Sequence, residues 1–346
     1  MSIDFSKQNV EELLNKYSKL SIDTVFKMSE ILKVYPDHAK FCHYNKVLTG
    51  FPALDKMIYS IQAGEVVSIV ARTNAGKTAF LLNLLRNNLS NETIIPYFSL
   101  ENSEFQLMER IIQLETGLPF YETQEKFVIQ DAEFLKNVKE ISDKWSKGGL
   151  VSIVKRVNID LIVPYIRVCE HLTGKRAKFV ALDYFQLIRS MGKSDFERST
   201  DVAQAIKEFA LDTKIPFIVV SQTSRVNSKE QKLDLYSAKG SGAVEESSQM
   251  FFTLEEAPEE LPFEFSSEEA KGIRDMIIKG EVKLLELTPH KLKRKEWYPI
   301  YLLMDRGTLR MTECPIQVGA VKQKEEEEKK GAERKKKQER TEKLPF

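Results

Sequence analysis

Lys77 and Thr78 close the run Ala71-Arg72-Thr73-Asn74-Ala75-Gly76-Lys77-Thr78, and both have side chains suited to a nucleoside triphosphate. A lysine ammonium neutralises β- and γ-phosphates, and a threonine hydroxyl ligates Mg²⁺. The backbone N–H groups around Ala75 and Gly76, at the positive end of a following helix dipole, complete an anion cradle. The usual pattern G-x-x-x-x-G-K-[ST] has a glycine where this chain has Ala71. By itself the segment also reads as an ordinary strand-to-helix turn. A second acid for Mg²⁺ is available in Phe179-Val180-Ala181-Leu182-Asp183, where four apolar residues end in an aspartate. The carboxyl edge of an open α/β sheet is where ligands bind, although an acid at a strand tip can also cap a helix. Glu101 ends Tyr97-Phe98-Ser99-Leu100-Glu101 and is a carboxylate able to orient and deprotonate an attacking water. Its alternative is a surface acid opening the next helix. Gln222 ends Pro216–Gln222, placed to hydrogen-bond a γ-phosphate or its water and report its presence.

These residues need a scaffold that brings strand ends together. From about Lys46 to Thr312, short β-branched runs alternate with amphipathic stretches, the pattern of an α/β fold with a mostly parallel sheet and helices on both faces. The expected strands are Val66–Ala71, Ile94–Leu100, Val151–Val154, Phe179–Asp183, Phe217–Ser221, Met250–Leu254, Lys283–Leu287 and Ile300–Met304. Helices are expected between Asn102 and Lys147 and over Asp201–Lys214, the latter with Val202, Ala205, Ile206 and Phe209 inward. Glu255–Glu281 begins acidic and irregular and reads as an insertion or loop.

Residues 1–46 form a helical prelude that Pro36 and Asp37 are expected to break. It reads either as a hairpin packed on its own domain or as an arm docking on a neighbouring subunit. Residues 47–319 are the expected ATPase domain, and 320–346 a charged, disordered tail or a single charge-laced helix.

The 346 residues carry 52 Lys/Arg and 51 Asp/Glu, a net charge of +1. Ten of the basic and seven of the acidic residues lie in 322–346, so residues 1–321 hold 42 and 44. A protein that merely coats nucleic acid would be more basic; binding here requires a local patch or an assembly that concentrates one face. Three widely spaced cysteines, Cys42, Cys169 and Cys314, argue for reduced thiols in a cytoplasmic compartment. Cys42-His43 and Cys169/His171 are Cys/His pairs at zinc-site spacing, but without a second pair of ligands they read as incidental. No apolar run approaches the length needed to span a membrane.

Several motifs occur in one order: T-G-F-x-x-L-D at Thr49–Asp55, A-R-x-x-x-G-K-T-A-F at Ala71–Phe80, F-S-L-E at Phe98–Glu101, L-D-Y-x-Q-L at Leu182–Leu187, S-Q-x-x-R at Ser221–Arg225 and S-G-A-x-E at Ser241–Glu245. This series resembles the RecA-like ATPase domain of DnaB-type replicative DNA helicases, over roughly residues 46–312. An alanine at the first loop position is usual in that family. The resemblance implies a ring, usually a hexamer, with ATP and Mg²⁺ held between subunits. It implies Lys77 and Thr78 as phosphate and Mg²⁺ contacts, Asp183 as the Mg²⁺-side acid, Glu101 as the catalytic glutamate and Gln222 as the sensor. A basic finger from the next subunit is also implied. The family pattern K-x-R-N-G aligns with Lys291 and Lys293, so the finger is Lys293, or Arg294 after a one-residue shift. Arg presents a planar fork that Lys lacks, so a lysine finger implies slower hydrolysis.

Such rings hold single-stranded DNA by loops after the strands ending near Asp183 and Gln222. Here those are Arg189–Arg198, offering Arg189, Lys193 and Arg198, and Arg225–Gly242, offering Arg225, Lys229, Lys232 and Lys239 with Gly240 and Gly242 for close backbone approach. Cations and amides suit phosphate tracking without base readout. About 46 residues precede the match, which predicts the motor domain with a short helical arm and without the family's amino-terminal domain. Primase, a loader or other replication proteins are the implied partners, in the nucleoid or a phage replication complex. Leu344-Pro345-Phe346 resembles terminal tips that dock on such partners, or is a frayed end. The family's acidic stretch after S-G-x-x-E is replaced by Glu246-Ser247-Ser248-Gln249. A RecA- or KaiC-like ATPase acting in recombination, regulation or assembly is the alternative function.

Overall fold

The computed structural model describes residues 27–154, 156–192, 194–223, 241–257, 268–292 and 297–315. The chain divides into two units, Met1–Lys46 and Val47–Phe346. In the first, one helix runs Met28–Tyr44 with Pro36 inside it, so the expected break at Pro36-Asp37 does not occur. An interior proline removes one backbone hydrogen bond and disfavours a helix by about 3 kcal/mol, but does not forbid it. The helix closes nine residues after Pro36, at Asn45, whose backbone N–H and side-chain Nδ2 both donate to the Phe41 carbonyl.

The second unit is built on ten strands: β1 (Val66–Ala71), β2 (Thr93–Ser99), β3 (Leu150–Ile153), β4 (Arg176–Ala177), β5 (Val180–Asp183), β6 (Phe217–Gln222), β7 (Met250–Glu256), β8 (Val282–Lys291), β9 (Ile300–Asp305) and β10 (Met311–Glu313). They form one sheet ordered β10-β9-β8-β7-β1-β6-β5-β2-β3, with β4 also paired to β2. Pairing is parallel from β3 to β7 and antiparallel from β7 to β10. The expected strands are all present, with ends shifted by a few residues. Within the expected insertion Glu255–Glu281, the described residues hold regular structure at both ends: β7 continues to Glu256, and a helix spans Glu268–Ile278.

Successive residues of a strand point to opposite faces, and the core divides accordingly. Val67, Ile69 and Ala71 of β1 join one apolar cluster with Leu54, Leu81, Leu85 and Trp145. Val66 and Val70 join the other, with Ile162, Ile166, Val202 and Ile206. Each Val, Leu or Ile among them contributes about 1.5–3 kcal/mol on full burial. The helix expected over Asp201–Lys214 starts six residues earlier and spans Asp195–Thr213, because Ser194 and Glu197 form a capping box. Its buried stripe is Val202, Ala203, Ile206 and Ala210, whereas Ala205 and Phe209 are only partly buried. Among the described residues, no helix is long and apolar enough to cross a membrane.

One charged hub joins the helices Lys77–Asn87, Glu104–Thr116 and Ala132–Lys147. Oε1 of the half-buried Glu115 accepts from Lys144 Nζ at 2.7 Å, Trp145 Nε1 at 2.8 Å and Arg86 Nε at 3.2 Å. Burial alone would raise its pKa, but the bonds from Lys144 and Trp145 and the neighbouring charges outweigh that and hold the carboxyl below the usual range. A depressed carboxyl contributes stability at pH values above its unfolded pKa and loses it as pH falls through the folded one. Glu115→Ala is therefore expected to destabilise the protein by about 1–3 kcal/mol at pH 7, chiefly because the Trp145 indole N–H loses its acceptor, while the partly exposed Lys144 and Arg86 turn to water. Denaturant unfolding measures this, and the gap to wild type should narrow below about pH 4.

Candidate nucleotide site

The strand order places β1, β6, β5 and β2 side by side, so their carboxyl ends share one edge. From β1 the chain enters the loop 72–76 and then the helix Lys77–Asn87. The turn requires left-handed backbone at Asn74 (φ 63°) and Gly76 (φ 85°). Glycine suits the second position doubly: a Cβ there would sit 3.0 Å from Met304 Sδ, 3.1 Å from Met311 Cε and 3.2 Å from Leu285 Cδ1. The strands β8 to β10 thus back the loop. Asn83 ties the helix to the same region, donating to the Leu309 carbonyl at 2.8 Å and accepting from the Met311 N–H at 3.1 Å.

Lys77 is 7% exposed, with Nζ 3.4 Å from the Arg72 carbonyl oxygen and 5.9 Å from the centre of the Tyr184 ring. Burial lowers its pKa, against the opposing charges of Glu101 and Asp183. A desolvated ammonium at the start of a helix is a ready partner for an anion. Asp183 is fully buried at the end of β5. Its Oδ2 accepts from Thr78 Oγ1 at 2.9 Å and from Tyr97 OH at 3.1 Å, while Oδ1 is buried with no partner among the described residues. Burial raises the pKa of this carboxyl, against the two hydroxyl bonds and the charges of Lys77 and Arg110. It caps no helix: the following 3₁₀ turn Phe185–Leu187 has Tyr184 at its N-cap and no side-chain cap bond.

Glu101 stands at the same edge, because Leu100 N–H donates to the Asp183 carbonyl at 2.7 Å. Its side chain is exposed, and its charge acts on both Lys77 and Tyr184. The helix Glu104–Thr116 is capped by Ser103 in a box with Gln106, so Glu101 does not open it. Asn102, beside Glu101, is buried with Nδ2 unpartnered among the described residues. Gln222 extends from β6 to the loop, donating from Nε2 to Thr73 Oγ1 at 2.5 Å. Gln186 holds that strand end: its Oε1 accepts from Gln222 N at 3.1 Å, and its Nε2 donates at 2.8 Å to both Ser221 Oγ and the Gln222 carbonyl.

The structure therefore brings Ala75, Gly76, Lys77, Thr78, Asp183, Glu101 and Gln222 to one edge. Tyr97, Thr73, Tyr184 and Gln186 also belong there and were not singled out from sequence. The legible signals were the phenol in an otherwise apolar strand and the glutamine in L-D-Y-x-Q-L.

The expected DNA-contacting segments fare differently. Arg189 is exposed, but its backbone is paired, accepting from Ile159 N–H at 2.8 Å and donating to the Val157 carbonyl at 3.0 Å. Arg198 lies in the helix Asp195–Thr213 rather than in a loop, bonded to Asp195 and to the Gly192 carbonyl. The capping box at Ser194 is the reason. Gly242 is in the helix Ser241–Ser247 with open space where a Cβ would stand, so close approach does not require it there. Lys193, Arg225, Lys229, Lys232, Lys239 and Gly240 lie outside the described residues, as do the finger candidates Lys293 and Arg294. Lys291 is described, and its Nζ donates to the Glu245 carbonyl at 2.8 Å. Gln249, where an acidic residue was the family expectation, accepts from Val66 N–H at 2.7 Å and fastens β1.

Residues 46–280 match the model of the family described as DnaB-like helicase C terminal domain. A relative called replicative DNA helicase DnaB, from Geobacillus stearothermophilus, is 29% identical over 215 residues, covering 57% of this chain and 44% of its own length. The chain spans about half the length of the curated relatives it matches. A solved structure described as an ATPase domain superposes with a TM-score of 0.68 at 19% identity, over 84% of this chain and 99% of that one. Another, described as a DnaB-like replicative helicase and its interactions with primase, gives 0.65 at 20% identity, over 88% and 71%. Both share the fold.

Proposed function

Because the chain belongs to the DnaB-like helicase C-terminal domain family, we propose that it is an ATP-driven DNA helicase motor of the replicative type. Residues 47–319 are the motor, 1–46 an arm and 320–346 a tail. The observation that carries the reading is the meeting of Lys77, Thr78, Asp183 and Glu101 at one sheet edge within a chain of that family.

The donor set fits Mg²⁺. Thr78 and Asp183 offer hydroxyl and carboxylate oxygens, the hard ligands this ion prefers, and the buried Oδ1 of Asp183 has no partner among the described residues. When bound, the ion neutralises charge across the β- and γ-phosphates. Backbone amides near Ala75 and Gly76 hold the phosphates, and Lys77 meets their charge with an ammonium already stripped of much of its water. Glu101 orients the attacking water and takes its proton. Gln222 exchanges its bond to Thr73 for one to the γ-phosphate, so that the end of β6 responds to the nucleotide.

Subunits assemble as a ring, in our reading a hexamer, with Lys293 or Arg294 reaching the neighbour's phosphates. Arg189, Lys193, Arg225, Lys232, Lys239 and the backbone at Gly240 and Gly242 track one DNA strand. A few cations per subunit, repeated around a pore, make an electropositive channel even in a nearly neutral protein. One similar solved structure is described with primase, and we extend that partnership to this chain as part of the proposal.

Steady-state ATP hydrolysis with and without single-stranded DNA tests the reading. Several-fold stimulation is expected. Turnover indifferent to DNA, with no unwinding of a forked duplex, would overturn the motor and favour a RecA- or KaiC-like scaffold.

A further inference from the structure

Tyr97 is fully buried in β2, within the apolar cluster that also holds Ile95 and Leu107. A phenylalanine would fill nearly the same space, so the hydroxyl needs its own explanation. A buried phenol OH requires an acceptor, and here it is Asp183 Oδ2 at 3.1 Å. Parallel pairing of β2 with β5 sets Tyr97 opposite Ala181 and Ser99 opposite Asp183, so the phenol reaches diagonally to the strand tip. Thr78 donates to that same oxygen at 2.9 Å from the helix side. One donor alone leaves a carboxylate able to turn about its Cβ–Cγ bond. Two donors converging on one oxygen from different elements hold its plane and keep Oδ1 uncommitted.

We propose that Tyr97 is a positioning residue that orients the Asp183 carboxylate for the nucleotide-bound divalent cation. The inference rests on the nucleotide-site reading above and adds a residue to it. Tyr97 touches neither phosphate nor metal; it acts through Asp183, as outer-shell partners of metal ligands do, where substitution commonly weakens metal affinity about 10–100-fold.

The test is Tyr97→Phe, which keeps the ring in the core and removes only the donor. Binding of a fluorescent ATP analogue is measured in EDTA and then across a Mg²⁺ titration, alongside thermal unfolding without nucleotide. The expected result is unchanged affinity in EDTA and a rise of about tenfold in the Mg²⁺ concentration that gives half of the metal-dependent gain. A Mg²⁺ midpoint equal to wild type overturns the proposal. So does an equal loss of affinity with and without Mg²⁺, the result of a merely loosened strand. Wild-type protein that binds no analogue, or Lys77→Ala protein that binds it as well as wild type, overturns the nucleotide-site reading itself and is distinguishable from either.

Discussion

Replacing Lys77 by alanine is expected to lower ATP hydrolysis by about 10²–10³-fold or more, the usual consequence of removing a preorganised charge aimed at a reacting oxyanion. The lysine is buried, and its ammonium is held at a depressed pKa by desolvation. A base with a folded pKa below its unfolded value is penalised in the native state while protonated, and the penalty lifts as pH rises past the folded pKa. At neutral pH the nucleotide-free protein therefore gains nothing from this charge. The Lys77→Met variant, which keeps the aliphatic stem, should melt no lower than wild type while losing activity. Thermal unfolding beside steady-state turnover checks both halves; full turnover in either variant would remove the phosphate loop from the mechanism.

Glu101→Gln is the second large effect, and it separates chemistry from binding. A positioned general base contributes about 10²–10⁴-fold, so turnover should fall by that order. Glu101 is exposed, and the adjoining helix is capped by Ser103 and Gln106. Stability should therefore change by no more than about 0.5 kcal/mol, as for most surface substitutions. Affinity for an ATP analogue should stay within a few-fold. Glu115 makes the contrast: a half-buried glutamate with three donors, whose loss should unfold the protein more readily yet leave the turnover of the folded fraction nearly intact. Unchanged hydrolysis in Glu101→Gln would mean that another group activates the water.

The strands were legible because a buried parallel strand is a continuous apolar run, and β1, β2, β5 and β6 each read that way. Where reading failed, the missing term was long-range. The strands β4 and β10 have two and three residues, too short for any period, yet Met311 of β10 packs against Gly76. The first residues of the helix Asp195–Thr213 carry charges and no apolar stripe, so only the cap at Ser194 marks its start. Its buried stripe runs through Val202, Ala203, Ile206 and Ala210, and Ala205 and Phe209, which fit the same period, lie half-buried at its flank.

The sequence by itself determined the candidate groups of the site: an ammonium and a hydroxyl after Gly76, carboxylates following two apolar strands, an amide ending a third. Side-chain type and position at the end of an apolar run are local properties, readable in a window of ten residues. Only the tertiary structure decided how those groups are held. Tyr97 donates to an aspartate 86 residues away, Gln222 to a threonine 149 residues away, and Asn83 fastens a turn more than 220 residues distant. These contacts depend on which strands become neighbours and in what register, and the free energy that selects both comes from burying the whole sheet at once.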